Sequence, residues 1–202
     1  MGTMIRPRPR ILHLMTESVW SPAAEYVVDL CRELRRHGQI IDFACAKAEG
    51  DYPESVEHNA RERRVEPVTD FDLKPGLDNI FVTLADVRRM TEFIEREEVE
   101  ILHAYCDLTH YIASRAGRKS NSQPHIVRTN YGDDPLPVTR LRRWIVRSNT
   151  QAWVGFNKDA VDADIRNFVI PRAHAVVLDR AAGIDSHVAA VTELYLRLAE
   201  GR

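Results

Sequence analysis

The side chains best suited to chemistry follow a short apolar segment in the middle of the chain, EILHAYCD at residues 100–107. Its strand-forming residues predict a buried parallel strand. Ligands of open α/β sheets bind in the crevice beyond the carboxyl ends of the strands, so His103, Tyr105 and Asp107 are the first candidates for contact with a small molecule. The alternative is that these polar groups cap the next helix or form hydrogen bonds within the core.

The common catalytic signatures are absent from the sequence. The turn after the first predicted strand, TESVWSPAAE at residues 16–25, has no glycine, which argues against a dinucleotide cofactor. The chain also lacks the P-loop, HExxH zinc and GxSxG acyl-transfer patterns. His103 and His110 fall on different predicted elements. We therefore expect no metal site and no resident cofactor.

The elements that would position these side chains alternate between strand and helix. Apolar runs predict strands at residues 11–15, 39–46, 64–68, 101–104, 125–129, 152–156 and 175–178. Helical spacing of apolar residues predicts helices at 23–37, 83–98 with Thr83 as its cap, 108–118 ending near Gly117, 138–148 and 159–168. Residues 70–79 and 130–137 are expected to be loops. The alternation predicts an α/β fold with a doubly wound, mostly parallel, Rossmann-like sheet.

The 202 residues are expected to form one main domain. Residues 1–9, rich in arginine and proline, are predicted to be a flexible leader, and residues 10–185 the domain itself. In the tail, residues 186–202, apolar side chains recur at helical spacing, which predicts a helix that packs back on the same domain.

Composition narrows the choice of partner and compartment. With 44% hydrophobic residues, no long apolar run and no signal-peptide pattern, the chain is expected to be soluble and cytoplasmic. A net charge of -2 offers no field for nucleic acid. Cys31, Cys45 and Cys106 have no CxxC spacing and are expected to be small core residues.

Residues 138–148 predict an amphipathic basic helix, with Leu141, Trp144 and Ile145 on one side and arginines elsewhere. Such a helix offers at most a weak contact with a membrane surface. The alternative is a packed helix with solvated arginines.

The order of several segments resembles the amino-terminal, acceptor domain of family-four retaining glycosyltransferases with the GT-B fold. The segments are ILHLMTES, PAAEYVVDLCRELRRHG, VEILHAYCD, HIVRTNY, RLRRWIVRSNTQAWVGFN and AVVLDRAAGID. The resemblance covers most of residues 10–185. It implies that Glu25 corresponds to the family's Glu after the glycine turn and His103 to the first His of its His-x-His motif, so these two are the candidate catalytic residues.

The sequence departs from the family at three places. The glycine turn is replaced by Ser21, Pro22, Ala23 and Ala24, which impairs backbone approach to a diphosphate. Tyr105 replaces the second His of the strand end. The family's donor-binding domain would follow residue 185, where the predicted tail helix resembles the helix that crosses back in full-length enzymes. We therefore expect a natural one-domain protein rather than a truncated one.

These observations predict a glycosyltransferase-like acceptor domain, linked to polysaccharide or glycoconjugate biosynthesis, without autonomous sugar transfer. A nucleotide sugar would bind only if a donor domain completed the site. The alternatives are a non-catalytic interaction protein or one half of a split enzyme, so a donor-domain protein or a homodimer over the crevice, and a glycan or lipid-linked acceptor, are the expected partners. The strand-end rule and the resemblance give these ligand-binding candidates: Thr16, Glu17, Ser18, Trp20, Ala23, Ala24, His103, Tyr105, Asp107, Arg128, Asn130, Tyr131, Asn157 and Lys158.

Overall fold

A computed structural model describes residues 8–48, 50, 52–74 and 80–201. Most of the predicted leader therefore lies outside the described residues. The strands are β1 Arg10–Leu14, β2 Ile40–Ala44, β3 Ile101–Ala104, β4 His125–Asn130, β5 Thr150–Gly155 and β6 Ala175–Val177. The helices are α1 Pro22–Arg36, α2 Val56–Glu62, α3 Ile80–Arg96, α4 Asp107–Lys119, α5 Arg140–Asn149, α6 Lys158–Phe168 and α7 Ile184–Glu200.

The strands form one parallel sheet in the order β2-β1-β3-β4-β5-β6. Parallel neighbours need crossover connections, and the intervening helices supply them. The chain winds outward from β1 to β2 and then returns to the other side of β1 with β3. This reversal makes the sheet doubly wound, so the predicted α/β, Rossmann-like fold is confirmed.

Side chains alternate between the two faces of the sheet, and each face is covered by helices. Ile11 of β1 and Ile101 of β3 lie in a core with α1 and α7. Their neighbours Leu12 and Leu102 lie in a second core with α3 and α4. Burial on both faces explains why the strands read as nearly continuous apolar runs rather than alternating ones.

The last helix, α7, packs on α1 and on the same face of the sheet. Its inward side chains are fully or almost fully buried: Val188, Val191, Leu194, Tyr195 and Leu198. These are the residues whose spacing predicted a tail helix. Leu196, on the outer side, is 40% exposed.

The third predicted strand, residues 64–68, is wrong. Only a single parallel bridge joins Pro67 to Phe43. The preceding stretch forms α2 instead, because Ser55 caps it by accepting a hydrogen bond from His58 N at 3.1 Å. Arg64 then takes a left-handed backbone conformation, with φ 62°, which ends the helix and leaves little room for a strand.

The predicted surface loop at residues 70–79 is only partly described, and its described part is not all surface. Phe71 and Leu73 are fully buried against the α3 side of the sheet. The carboxylate of Asp86 in α3 holds this segment by accepting hydrogen bonds from Asp72 N at 2.9 Å and Leu73 N at 2.8 Å. The polar residues around Phe71 and Leu73 are typical of a surface loop, so the sequence did not indicate that this segment is held against the sheet.

Two helix ends also differ from expectation. Thr83 lies inside α3 rather than at its cap. Gly117 lies inside α4, which continues to Lys119. A Cβ atom at this position would lie 3.2 Å from the Asn149 amide. The glycine permits close packing rather than ending the helix. Among the described residues, no helix is long and apolar enough to cross a membrane.

The docking of α7 can be tested by cutting back its buried side chains. We expect Leu194→Ala to lower the free energy of unfolding by roughly 2–5 kcal/mol, because it removes a fully buried side chain and leaves a cavity. Leu196→Ala is the matched control on the outer side of the same helix, with an expected change within about 0.5 kcal/mol. Urea unfolding measures both. Equal effects would show that α7 does not pack as described.

Candidate functional site

The crevice lies between the carboxyl ends of β1 and β3, where the strand order of the sheet reverses. There Tyr105 N donates to the Leu14 carbonyl at 3.1 Å. Just beyond the ends of both strands, the Thr16 hydroxyl lies 3.2 Å from the Cys106 thiol. Cys106 also caps α4, so it is half-buried in the crevice rather than in the core. The sheet therefore brings the predicted segments 16–24 and 103–107 together, as the strand-end rule requires.

His103 lies beneath this crevice, fully buried and with both ring nitrogens occupied. Its Nδ1 lies 2.5 Å from the Tyr195 hydroxyl and its Nε2 2.6 Å from the Thr129 hydroxyl. His13, the register partner of His103 on β1, shares the same Tyr195 hydroxyl at 3.1 Å. The other nitrogen of His13 contacts the Tyr105 hydroxyl at 2.9 Å. The result is one hydrogen-bonded row across the centre of the sheet.

This environment keeps both imidazoles neutral. Burial lowers the pKa of His13 to about 3 and that of His103 well below its ordinary value. A neutral imidazole offers one donor and one acceptor, which matches the two hydroxyl partners that each ring has. The geometry therefore favours the alternative stated for His103, a hydrogen-bonded core residue, over a group that exchanges protons with a substrate.

The turn after β1 is filled by its own side chains. The Ser21 hydroxyl caps α1 by accepting from Ala24 N at 3.1 Å and donates to the carboxylate of Glu17. The preceding segment is fixed to the start of α2, since Val56 N donates to the Ser18 carbonyl at 3.0 Å and Trp20 N to the Glu54 carbonyl at 2.6 Å. The amino terminus of α1, where a phosphate would bind in a glycine turn, is thus capped from within.

Glu25 and Trp20 share one cation. Arg63, at the end of α2, lies with its guanidinium 4.5 Å from the centre of the Trp20 ring and 3.2 Å from the Glu25 carboxylate. Glu25 is exposed, whereas Ala23 is half-buried and Ala24 buried. Glu25 pairs with Arg63 at the surface, whereas His103 is fully buried within β3, with Tyr195 and Thr129 as its partners. The structure does not bring these two into one reacting group.

Three charged side chains form a cluster in the crevice: Asp107, Arg128 and Arg142. Asp107, at the start of α4, accepts from Arg142 of α5 and lies 3.5 Å from Arg128. Arg128 is only 4% exposed, and its Nε has no hydrogen-bond partner. Its other contact, with the Ala104 carbonyl, is also long at 3.5 Å. Burial lowers the pKa of this guanidinium, because no close partner compensates the lost hydration.

The remaining candidates lie at or just beyond the carboxyl ends of β4 and β5. Asn130 is buried and donates to Asp164 at 3.0 Å, where burial raises the pKa of the carboxyl group. Tyr131 lies under Arg180, with 4.9 Å from the guanidinium to the ring centre. Asn157 caps α6 by accepting from Asp159 N and Ala160 N, and Lys158 pairs with Asp162 at 2.9 Å. Each of these side chains therefore has a partner within the protein.

Sequence reasoning missed three participants in this arrangement. His13 was hidden in an apolar strand, although its register with His103 could have been read from two parallel strands of equal pattern. Tyr195 was taken only as part of an apolar stripe. Arg142 was assigned to the solvated side of its helix, and nothing in the local sequence indicated its pairing with Asp107.

Residues 23–181 match the model of Glycosyltransferase Family 4. The chain belongs to this family. No curated protein matches the sequence.

Three solved structures of other proteins share the fold. A glycosyltransferase from Rickettsia africae has a TM-score of 0.66 and 13% identity over 89% of this chain and 45% of its own. The apo form of a lipopolysaccharide outer core galactosyltransferase has a TM-score of 0.62 and 11% identity over 86% of this chain and 46% of its own. A solved chain of sucrose-phosphate synthase from Thermosynechococcus elongatus has a TM-score of 0.62 and 15% identity over 94% of this chain and 99% of its own. At such identities the likeness shows the fold alone.

The matches cover most of this chain but less than half of two of the solved structures. The chain spans 45% of the Rickettsia africae structure. The matched residues contain the whole sheet from β2 to β6, and β1 completes it. The chain therefore has the glycosyltransferase family 4 domain with the GT-B-type, Rossmann-like fold, and its resemblance to the amino-terminal domain is confirmed.

The shared hydroxyl of Tyr195 can be tested with a matched tyrosine. We expect Tyr195→Phe to lower the free energy of unfolding by about 1–3 kcal/mol, because it leaves buried imidazole nitrogens of His13 and His103 without a partner. Tyr26 is also covered in the core region, but its hydroxyl is buried with no hydrogen-bond partner. Tyr26→Phe should therefore be neutral or stabilising. Denaturant unfolding of the two variants separates a hydrogen-bonding role from a packing role.

The buried histidines predict a dependence of stability on pH. His13, His103 and His110 all have lowered pKa values because of burial. The unfolded chain binds protons below about pH 6.5 while the folded chain does not, so stability is full above that pH and falls on acidification, for His13 down to about pH 3.

Each such histidine should contribute roughly 1.4 kcal/mol of lost stability per pH unit once the pH is well below 6.5. Urea unfolding at a series of pH values between 7 and 5 measures the slope. His110→Gln, which can keep a hydrogen bond to Thr150, should reduce it by one histidine. A stability that stays flat over this range would contradict the burial of neutral imidazoles.

Proposed function

We propose that these 202 residues form the acceptor half of a family 4 glycosyltransferase and do not transfer sugar by themselves. The observation that carries the proposal is the closed amino terminus of α1, in a chain that belongs to this family. In the family resemblance, this terminus and its glycine turn receive the donor phosphates. Here Ser21 takes the Ala24 amide at 3.1 Å, and the turn is fastened to α2.

The cap also acts through electrostatics. A helix amino terminus binds anions because its first amides are unpaired and its dipole is positive. In this chain a carboxylate, Glu17, already lies in the turn and accepts from Ser21. A diphosphate would have to displace one hydrogen bond and approach one negative charge. Donor binding from this side alone is therefore disfavoured.

Retaining transfer requires a donor fixed against the acceptor, since orientation accounts for much of the rate. In the family resemblance, most contacts with the sugar nucleotide come from the second domain. The present chain corresponds to about half of a solved family structure, 45% of its length. A nucleotide sugar is thus a ligand of the completed enzyme rather than of these residues alone.

Residues on the acceptor side remain available in this proposal. Asp107 is exposed at the crevice, and the nearby Arg128 is a buried cation with only long contacts. A glycan or lipid-linked acceptor in polysaccharide or glycoconjugate biosynthesis would approach there. A donor-domain protein would then cover the crevice from the other side, inside the cell where nucleotide sugars are made.

The second candidate function is a non-catalytic interaction protein, for example a homodimer across the crevice. It depends on exposed aromatic anchors. Trp20 and Tyr131 are only half-buried, which favours it, but an arginine lies over each ring. Sedimentation distinguishes the two proposals, because a homodimer forms without any donor-domain protein.

The proposal of inactivity is tested with the purified 202-residue chain and a set of labelled nucleotide sugars. We expect no turnover and no change of melting temperature on adding a nucleotide sugar, since neither the turn nor the crevice fixes the diphosphate. Turnover that is lost in Glu25→Gln would overturn it. Glu62→Gln, an exposed glutamate on α2, is the control for a general effect of charge.

A further inference from the structure

The outer side of α5 exposes apolar side chains beside a groove. Val138, just before the helix, is 43% exposed, Leu141 is 59% exposed and Trp144 is 41% exposed. The three lie three residues apart and so follow one side of the helix. A groove of about 420 Å³ lies there, lined by residues 138–140, 143, 144, 147 and 148. Ile145 and Val146 face the core instead, so α5 keeps its fold-building contacts separate from this side.

Arginines surround these apolar residues. The exposed Arg140, Arg143 and Arg147 come from α5 itself. Two more come from α4, with the guanidinium of Arg118 lying 5.6 Å and that of Arg115 6.0 Å from the centre of the Trp144 ring. We name these five arginines with Val138, Leu141 and Trp144 the α5 surface.

The charges of the α5 surface are uncompensated. Among the described residues, none of its five arginines forms an ion pair with a carboxylate, whereas arginines elsewhere on the surface commonly do, as Arg88 with Glu92 at 2.9 Å and Arg63 with Glu25 at 3.2 Å. The whole chain has a net charge of -2. The positive charge is therefore local, and no carboxylate in the described part of the chain pairs with it.

We infer that the α5 surface binds an anionic lipid bilayer. Basic side chains bordering exposed tryptophan and leucine are the features with which a helix lies in a membrane interface, the apolar side chains entering the headgroup boundary and the cations meeting acidic headgroups. Each arginine near such a surface strengthens binding about fivefold. Five of them, together with three apolar side chains, raise a weak contact to a measurable one.

Other occupants fit this surface less well. A second copy docked symmetrically would place the same arginines against each other, which costs rather than gains energy. Nucleic acid would satisfy the arginines but not the exposed Leu141 and Val138. An anionic bilayer satisfies both kinds of side chain.

The direction of α5 links the membrane to the crevice. Arg142, in the first turn of α5, pairs with Asp107 at the carboxyl end of the sheet. Binding through α5 therefore brings the crevice close to the headgroup layer. That a membrane-anchored acceptor reaches the crevice by this route rests on the proposed function; the binding of lipid does not.

Flotation with vesicles tests the inference with the protein alone, so a failure of the proposed transferase role leaves it unaffected. We expect the chain to float with vesicles of equal parts phosphatidylglycerol and phosphatidylcholine, and to remain in solution with phosphatidylcholine alone. Binding should fall steeply between about 0.1 M and about 1 M salt, as the Debye length shortens.

Charge variants then locate the contact. Arg143→Gln with Arg147→Gln should weaken binding by about 25-fold, at about fivefold for each arginine. Arg88→Gln with Arg197→Gln, which removes the same charge from α3 and α7, should leave it within a factor of about two. Equal losses in the two double variants would show a non-specific effect of net charge and overturn the inference.

Fluorescence reports the apolar part. Trp153 is fully buried, so in a Trp20→Phe background a change caused by vesicles comes from Trp144. Quenching of Trp144 by brominated phosphatidylglycerol is expected. Binding to heparin or DNA without flotation or quenching would assign the α5 surface to a soluble polyanion, and a concentration-dependent dimer lost in Trp144→Ser would assign it to a second copy; either result overturns the bilayer.

Discussion

One hydroxyl group joins the two central strands to the last helix. His13 and His103 lie side by side in the register of β1 and β3, both on the face covered by α1 and α7. Two imidazoles without exposed surface need partners, and the Tyr195 hydroxyl contacts both, at 3.1 Å and 2.5 Å. A lost partner would leave a buried polar atom unsatisfied. The packing of α7 and the hydrogen bonds of the two imidazoles therefore depend on each other. The arrangement fixes α7 more specifically than its apolar stripe alone.

The same row of hydrogen bonds separates fold from chemistry at the crevice. It occupies His103, the residue that the family resemblance makes chemically interesting, and leaves the crevice to Asp107, Arg128 and the capped turn. On the β1 side, the side chains of Thr16, Glu17 and Trp20 have partners within the protein. Arg128, a buried charge with only long contacts, lies on the side toward α5. In the proposed function, an acceptor would approach this charge.

The sheet could be predicted because strands that are buried on both faces require apolar runs of strand length in the sequence. The false strand at residues 64–68 and the missed helix α2 are short, and there a cap at Ser55 and a left-handed residue at Arg64 decided the outcome. The site was harder. The strand-end rule found the crevice, but the partners of its residues come from distant elements: Tyr195 for His103 and Arg63 for Glu25. Local sequence does not encode such pairs, so the sequence gives the core role of His103 only as an alternative to ligand contact.

The contact between Tyr195 and His13 also has a consequence for the order of folding. The two residues are 182 positions apart, and α7 is the last of the described elements in chain order. During synthesis β1 and β3 emerge long before the hydroxyl that completes them. Until α7 arrives, the centre of the nascent sheet holds two imidazoles that need water. Loop closure over this separation comes late and is slow, so a growing chain exposes an unfinished face to which chaperones have access until α7 docks.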